Sequence, residues 1–171
     1  MADILLNFAK QIKPTLDTAA ISKSFREKGK TSLKEANGAV VTLIKPEYWK
    51  EEFGKNWTYL LFDLFQIRSI CSPFSEISLD LVEFATKPTI YTSPVNKTLA
   101  SGPIDEGCIR FSLIREPNWN KLLFQMAQPV LYTIVNGAEF EFETSLYFPL
   151  LSPSRKELFL GPNGEIKIIK G

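Results

Sequence analysis

The sequence has no histidine. That absence removes the usual general base near neutral pH, every Ser-His-Asp arrangement and every zinc site that needs an imidazole. Cysteine is scarce as well. Cys71 and Cys108 are the only two, too few by themselves for a thiolate metal site, so no metal ligand set is expected. Both lie in apolar stretches, where a free buried thiol is the common state, and a disulfide would need an oxidising compartment. Net charge is small, at +1, so no whole-chain argument points to nucleic acid or to a membrane. No apolar run reaches the ~18 residues of a membrane span. The first ten residues carry Asp3 and lack the apolar core of a secretory signal. The sequence therefore reads as cytoplasmic, with no membrane partner expected.

What is present is a core and a mixed pattern of elements. At 171 residues and 44% apolar content, the chain suits one α/β domain spanning 1–171. Charge is uneven: residues 1–57 hold ten Lys/Arg against seven Asp/Glu, and residues 58–171 hold ten against twelve. The basic part suits a polyanion such as RNA, or it is simply a set of solvated helix faces. Helices are expected over 2–12, from Asp17 or Thr18 to Lys28 with Gly29 as C-cap, over 75–85 with Ile77, Leu81 and Phe84 on the apolar face, and over 119–127. Strands are expected over 39–44 after an Asn37-Gly38 turn, and over 57–62, 89–92, 109–113 and 130–135. The near-continuous apolar run 57–62 predicts a strand covered on both faces. Phe140 and Phe142 alternate around Glu141 like a strand with one wet face. The segment 145–151 reads as a further strand, and 158–160 with 166–169 as a terminal hairpin. Helices interleave with strands early and strands dominate late, which predicts a mixed twisted sheet with flanking helices.

Several residues are candidates for chemistry. Arg110 stands in an apolar run and either faces a ligand cavity or lies on a solvated strand face. Thr133 and Asn136 end a strand, where open α/β sheets place ligands, although Asn136-Gly137 is also a hairpin signal. Lys28-Gly29-Lys30-Thr31-Ser32 has phosphate-loop letters but follows a helix where a P-loop would open one. Its lysines equally complement a helix C-terminus. Tyr48, Trp49, Phe53, Trp57 and Tyr59, interleaved with Lys45, Lys50 and Lys55, either form a stacking surface for single-stranded nucleic acid or fill a core. Glu139, Glu141 and Glu143 either bind a divalent cation or form a wet face that discourages edge pairing.

Residues 57–136 carry a resemblance. Trp57–Asp63, Ser75–Ala85, Lys87-Pro88-Thr89-Ile90-Tyr91, Gly107-Cys108-Ile109-Arg110, Leu122-Leu123, Pro129-Val130-Leu131 and Thr133-Ile134-Val135-Asn136 follow in the order of the YrdC-like family, which includes the threonylcarbamoyl-AMP synthases. The C-terminal Glu165–Gly171 resembles that family's closing strand. The resemblance implies a YrdC-like fold, nucleotide binding and a link to tRNA modification. In its active form it implies ATP with magnesium, threonine and bicarbonate; otherwise no cofactor. Carried residue by residue, it makes Lys28, Lys30, Arg110, Thr133 and Asn136 the candidate nucleotide-binding set and assigns no catalytic residue. Two departures stand out. Ile134 and Val135 fill the place of the family's serine, and Lys30 replaces an arginine, losing a planar bidentate donor for phosphate.

A strand, helix, strand unit at 109–135 would normally give two parallel strands whose C-terminal ends face one cleft, with Lys28 or Lys30 reaching it. The expected partners are a nucleotide or RNA, or a protein. The alternative function is a non-catalytic interaction protein, such as a viral or phage accessory, assembly or inhibitor protein.

Overall fold

The computed structural model describes residues 16–73, 75–99, 101–151 and 154–171. The helix expected over 2–12 lies outside these. The elements are α1 (Thr18–Lys28), β1 (Lys30–Lys34), β2 (Val40–Ile44), β3 (Thr58–Leu61), α2 (Ile67–Ile70), α3 (Glu76–Glu83), β4 (Thr89–Pro94), β5 (Cys108–Leu113), α4 (Pro117–Met126), β6 (Val130–Ile134), β7 (Phe142–Glu143), β8 (Lys156–Leu160) and β9 (Ile166–Lys170). The strands form one mixed sheet in the order β7-β1-β2-β6-β3-β5-β4-β8-β9. This is the α/β architecture with a mixed sheet and flanking helices that the sequence predicts.

Local chemistry explains most boundaries. Asp17 caps α1 by accepting the Ala20 N–H at 3.0 Å, and Gly29 ends it at φ +78° with its N–H on the Phe25 carbonyl. The Asn37-Gly38 turn joins β1 to β2, with Asn37 Oδ1 accepting the Ala39 N–H. Glu116 caps α4 through the Trp119 N–H at 2.8 Å, with Pro117 at the first helical position. β3 is buried at all four positions because each face meets its own core. Leu60 joins Leu43, Val130 and Tyr132 under α1 and α4, whose Phe25, Trp119, Leu122 and Leu123 complete that cluster. Tyr59 and Leu61 join Ile109, Phe111 and Leu131 on the other face, against Ile67, Ile70 and Val82 of α2 and α3.

One strand was not expected from the sequence, and three expectations are corrected. Lys30–Lys34 is a strand, β1, although its sequence is polar and lysine-rich; pairing with β2 and β7 supplies its order. Helix α3 forms where expected but presents another face: it buries Ser78 and Val82, leaving Ile77 and Phe84 72% and 73% exposed. Segment 145–151 is not a strand. The Leu146 carbonyl takes the Ala36 N–H and the Phe148 carbonyl takes the Trp119 indole N–H, so these two carbonyls find partners without a neighbouring strand. Finally, β5 and β6 are not parallel neighbours. They flank β3, parallel on the β5 side and antiparallel on the β6 side. Leu113 of β5 sits opposite Leu61, and Val130 of β6 sits opposite Leu60. Helix α4 therefore returns the chain to the end of the sheet that β5 left, and β6 runs back the other way.

Candidate functional site

Side chains alternate between faces along a strand, so register assigns each candidate to a face. Arg110 alternates with Ile109 and Phe111, which face α2 and α3; it therefore points to the α1/α4 side. Thr133 pairs with Thr42, and Thr42 with Ser32. These three hydroxyls form a row across β6, β2 and β1 on the opposite side of the sheet. Lys30, two residues from Ser32, shares their face. Asn136 is exposed in a turn with Gly137, but that turn is not a hairpin: β6 pairs with β2 and β3, and the next strand, β7, pairs with β1.

The five sequence candidates thus do not converge. Arg110 on β5 is four strand spacings from β1 in the order β1-β2-β6-β3-β5, roughly 19 Å at the usual inter-strand distance. Its guanidinium is also engaged: Nη1 donates to Asn56 Oδ1 at 3.4 Å and Nη2 lies 3.7 Å from Glu157 Oε1. Arg155 reaches the same carboxylate oxygen at 3.6 Å. Sequence reasoning missed Arg155 and Glu157 because both lie on or next to β8, which only the tertiary fold brings beside β4.

Lys28 and Lys30 do meet at one cavity. About 480 Å³ in volume, it is lined by Lys28, Lys30, Thr31, Ser32, Thr42, Glu139, Phe140 and Glu141. Glu141 is the residue that organises it. Its Oε1 accepts from Ser24 Oγ at 2.5 Å and from Lys28 Nζ at 2.9 Å. Its Oε2 accepts from Thr31 Oγ1 at 3.2 Å. The Ser24 bond first, and the Lys28 bond next, hold the Glu141 carboxyl below the usual carboxylate range. The Glu141 backbone is pinned as well, its N–H reaching Ser32 Oγ at 3.0 Å. Lys30 makes no ion pair among the described residues. The Glu139–Glu143 segment is therefore not only a wet face, since Glu141 is docked on α1 and β1; among the described residues no cluster of three or more metal-ligating side chains occurs.

Gly29 sets the geometry between the two lysines. At φ +78°, a Cβ there would run into the Tyr48 ring, while its carbonyl accepts the Lys45 N–H at 2.8 Å. Gly29→Ala is expected to cost about 2 to 3 kcal/mol in urea unfolding, from left-handed backbone strain plus the displaced ring. Unchanged stability would show that Tyr48 yields freely.

The aromatic set divides. Tyr59 and Trp57 are core residues at 0% and 8% exposure, whereas Tyr48 and Phe53 are about half exposed at 49% and 45%. A continuous stacking surface is thus not formed by the set as a whole. Burial also pushes the Cys71 thiol up to about 12, so it is an inert buried thiol. Both cysteines are free.

No protein-family model matches the sequence, and no curated protein matches it. Solved structures do. Full-length HypF in a phosphate- and nucleotide-bound form superposes with TM-score 0.66 at 14% identity, over 91% of this chain and 29% of that one. The H234A/Y235A variant of Sua5 from P. abyssi gives 0.66 at 8% identity, over 89% and 52%. YciO from E. coli gives 0.65 at 14% identity, over 92% and 91%. The chain spans about a third of HypF and about half of Sua5. These likenesses define the class: a YrdC/Sua5-like fold.

Proposed function

We propose that this chain is a divergent YrdC-like protein that binds a nucleotide through its phosphates in the cavity at the β1 edge. The carrying observation is the Lys28–Ser32 run, whose two lysines line one cavity of about 480 Å³ together with Thr31 and Ser32. Lysine charge and hydroxyl donors are what phosphate oxygens require. The fold adds support, since HypF of similar fold was captured with phosphate and nucleotide. ATP accompanied by magnesium is the nucleotide this reading favours, and RNA modification of the threonylcarbamoyl-AMP type is the process to which it relates.

The complete reaction is not part of this reading. Activating a carbamate with ATP needs cations placed along the developing charge. Here Arg110 is about 19 Å from β1 by strand count and tied to Glu157. Arg110 is thus not placed with the lysines of the β1 edge, and the reading is of nucleotide binding without efficient adenylate formation.

Millimolar ATP with magnesium is expected to raise the melting temperature by several degrees, because a ligand of the native state stabilises it by mass action. No shift with ATP or AMP would reject nucleotide binding. It would leave the alternative of a non-catalytic interaction protein, which one observation favours independently: β9 is exposed at all five positions on the edge of the sheet, with Ile168 and Ile169 74% and 55% exposed. Such an edge is suited to adding a partner strand.

A further inference from the structure

Three side chains from two elements meet around the Glu141 carboxylate. Ser24 and Lys28 come from consecutive turns of α1, four residues apart on one helix face. Thr31 comes from β1. Glu141 arrives from the connection between β6 and β7, more than a hundred residues later in the chain. Ser24 and Thr31 are 7% and 4% exposed, so their hydroxyls are fixed in place and aimed at one point. Lys28 adds an exposed charge. Three convergent donors, one of them cationic, form a receptor for an oxyanion.

The occupant in the structure is a carboxylate. Building on nucleotide binding at the β1 edge, we propose that Lys28 and Thr31 of the cavity wall, with Ser24 behind them on the Glu141 carboxylate, form the phosphate subsite, and that Glu141 occupies this subsite from within the chain until a phosphate group displaces it.

A carboxylate and a phosphate present similar oxygens to the same donors. The exchange therefore swaps one set of charge-assisted hydrogen bonds for another and breaks no covalent bond. Electrostatics set the direction of control. With Glu141 ionised, Lys28 and Lys30 are balanced by Glu139 and Glu141 on the cavity wall, and an incoming anion meets no net positive charge. With Glu141 moved away, the donors are freed and one positive charge is uncovered. The exchange needs only a rotation of the Glu141 side chain, because its backbone stays held by Ser32 and the preceding Glu139 and Phe140 are exposed.

The test is isothermal titration of ATP into the wild-type chain, Glu141→Gln, Glu141→Asp and the double variant Glu141→Gln/Lys28→Ala. Glu141→Gln removes the competing charge, and about tenfold tighter binding is expected, the scale of one like charge removed near contact in partly solvated surroundings. Glu141→Asp keeps the charge but draws the carboxylate back by one methylene, so its affinity should fall between those two. Lys28→Ala in the Gln background should abolish the gain. Equal ATP affinity in the wild-type, Gln and Asp chains would overturn occupation by Glu141 while leaving nucleotide binding intact. A gain that survives Lys28→Ala would place the phosphate elsewhere and overturn the subsite. Absence of ATP binding in every chain would overturn both this subsite and the nucleotide reading.

Discussion

Replacing Trp119 with alanine is expected to destabilise the fold by about 4 kcal/mol, the usual range for emptying a buried tryptophan site. Trp119 is fully buried, and its cluster includes Phe25 of α1, Leu43 of β2, Leu60 of β3 and Leu150 of the 144–151 connection. Two losses add. The indole volume becomes a cavity between helix and sheet. The Phe148 carbonyl, which accepts the indole N–H, also loses its partner, and that connection loses an anchor on the α1/α4 face. Urea unfolding of Trp119→Ala beside Trp119→Phe separates the two terms. Phenylalanine restores much of the volume but not the donor, so it should recover most of the loss. If Trp119→Ala costs less than ~1 kcal/mol, the core does not depend on this residue, since even modest core truncations exceed that.

The second large effect is a pH dependence at Glu35. This carboxylate is 4% exposed, and its Oε1 has no hydrogen-bond partner. Burial first, and the nearby Glu116 charge second, push it from 4.5 up to about 7. The folded state therefore holds a proton that the unfolded state has already released between these values. Below the unfolded value both states are protonated and no penalty exists. As pH rises through the window the penalty grows, and above about 7 it is complete, at most ~3 kcal/mol for a shift of this size. The wild-type chain should accordingly lose stability between pH 5 and pH 8 relative to Glu35→Gln, whose amide does not ionise. Comparing unfolding free energies of both chains at the two pH values isolates this group. Identical pH dependence in wild type and Glu35→Gln would show that Glu35 is ionised at little cost.

Glu35 also illustrates what one-dimensional reading cannot reach. In sequence it is one more polar residue before an Asn-Gly turn. Its surroundings are distant in sequence: the neighbouring Ala36 N–H donates to the Leu146 carbonyl, and the Glu116 charge at the start of α4 acts on its carboxyl. Lys28 is a similar case. The lysine and its helix-ending glycine were legible, because capping depends on neighbours in the chain. Its partner Glu141 was not, because nothing local encodes a contact across that distance. The alternation of Glu139, Glu141 and Glu143 was visible as a pattern, but the pattern does not distinguish a wet strand face from a carboxylate docked on a helix.

The sequence by itself determined the α/β class, the resemblance to the YrdC-like order of elements, and most helices and strands. α1 with its Asp17 and Gly29 caps, β2 after the Asn37-Gly38 turn, the doubly covered β3 and the β8–β9 hairpin all follow from propensity, capping and periodicity. These are short-range effects, complete within a few residues. The tertiary structure alone decided that β5 and β6 run antiparallel on either side of β3, that Arg110 and Thr133 face opposite sides of the sheet, and that α3 turns Ile77 and Phe84 outward. It also decided that Glu141 closes on Ser24, Lys28 and Thr31. Strand order and register are set by how two buried faces are filled at once, and a one-residue step along a strand reverses which face a side chain meets. A local pattern fixes that a strand exists; only the packed sheet fixes what its side chains touch.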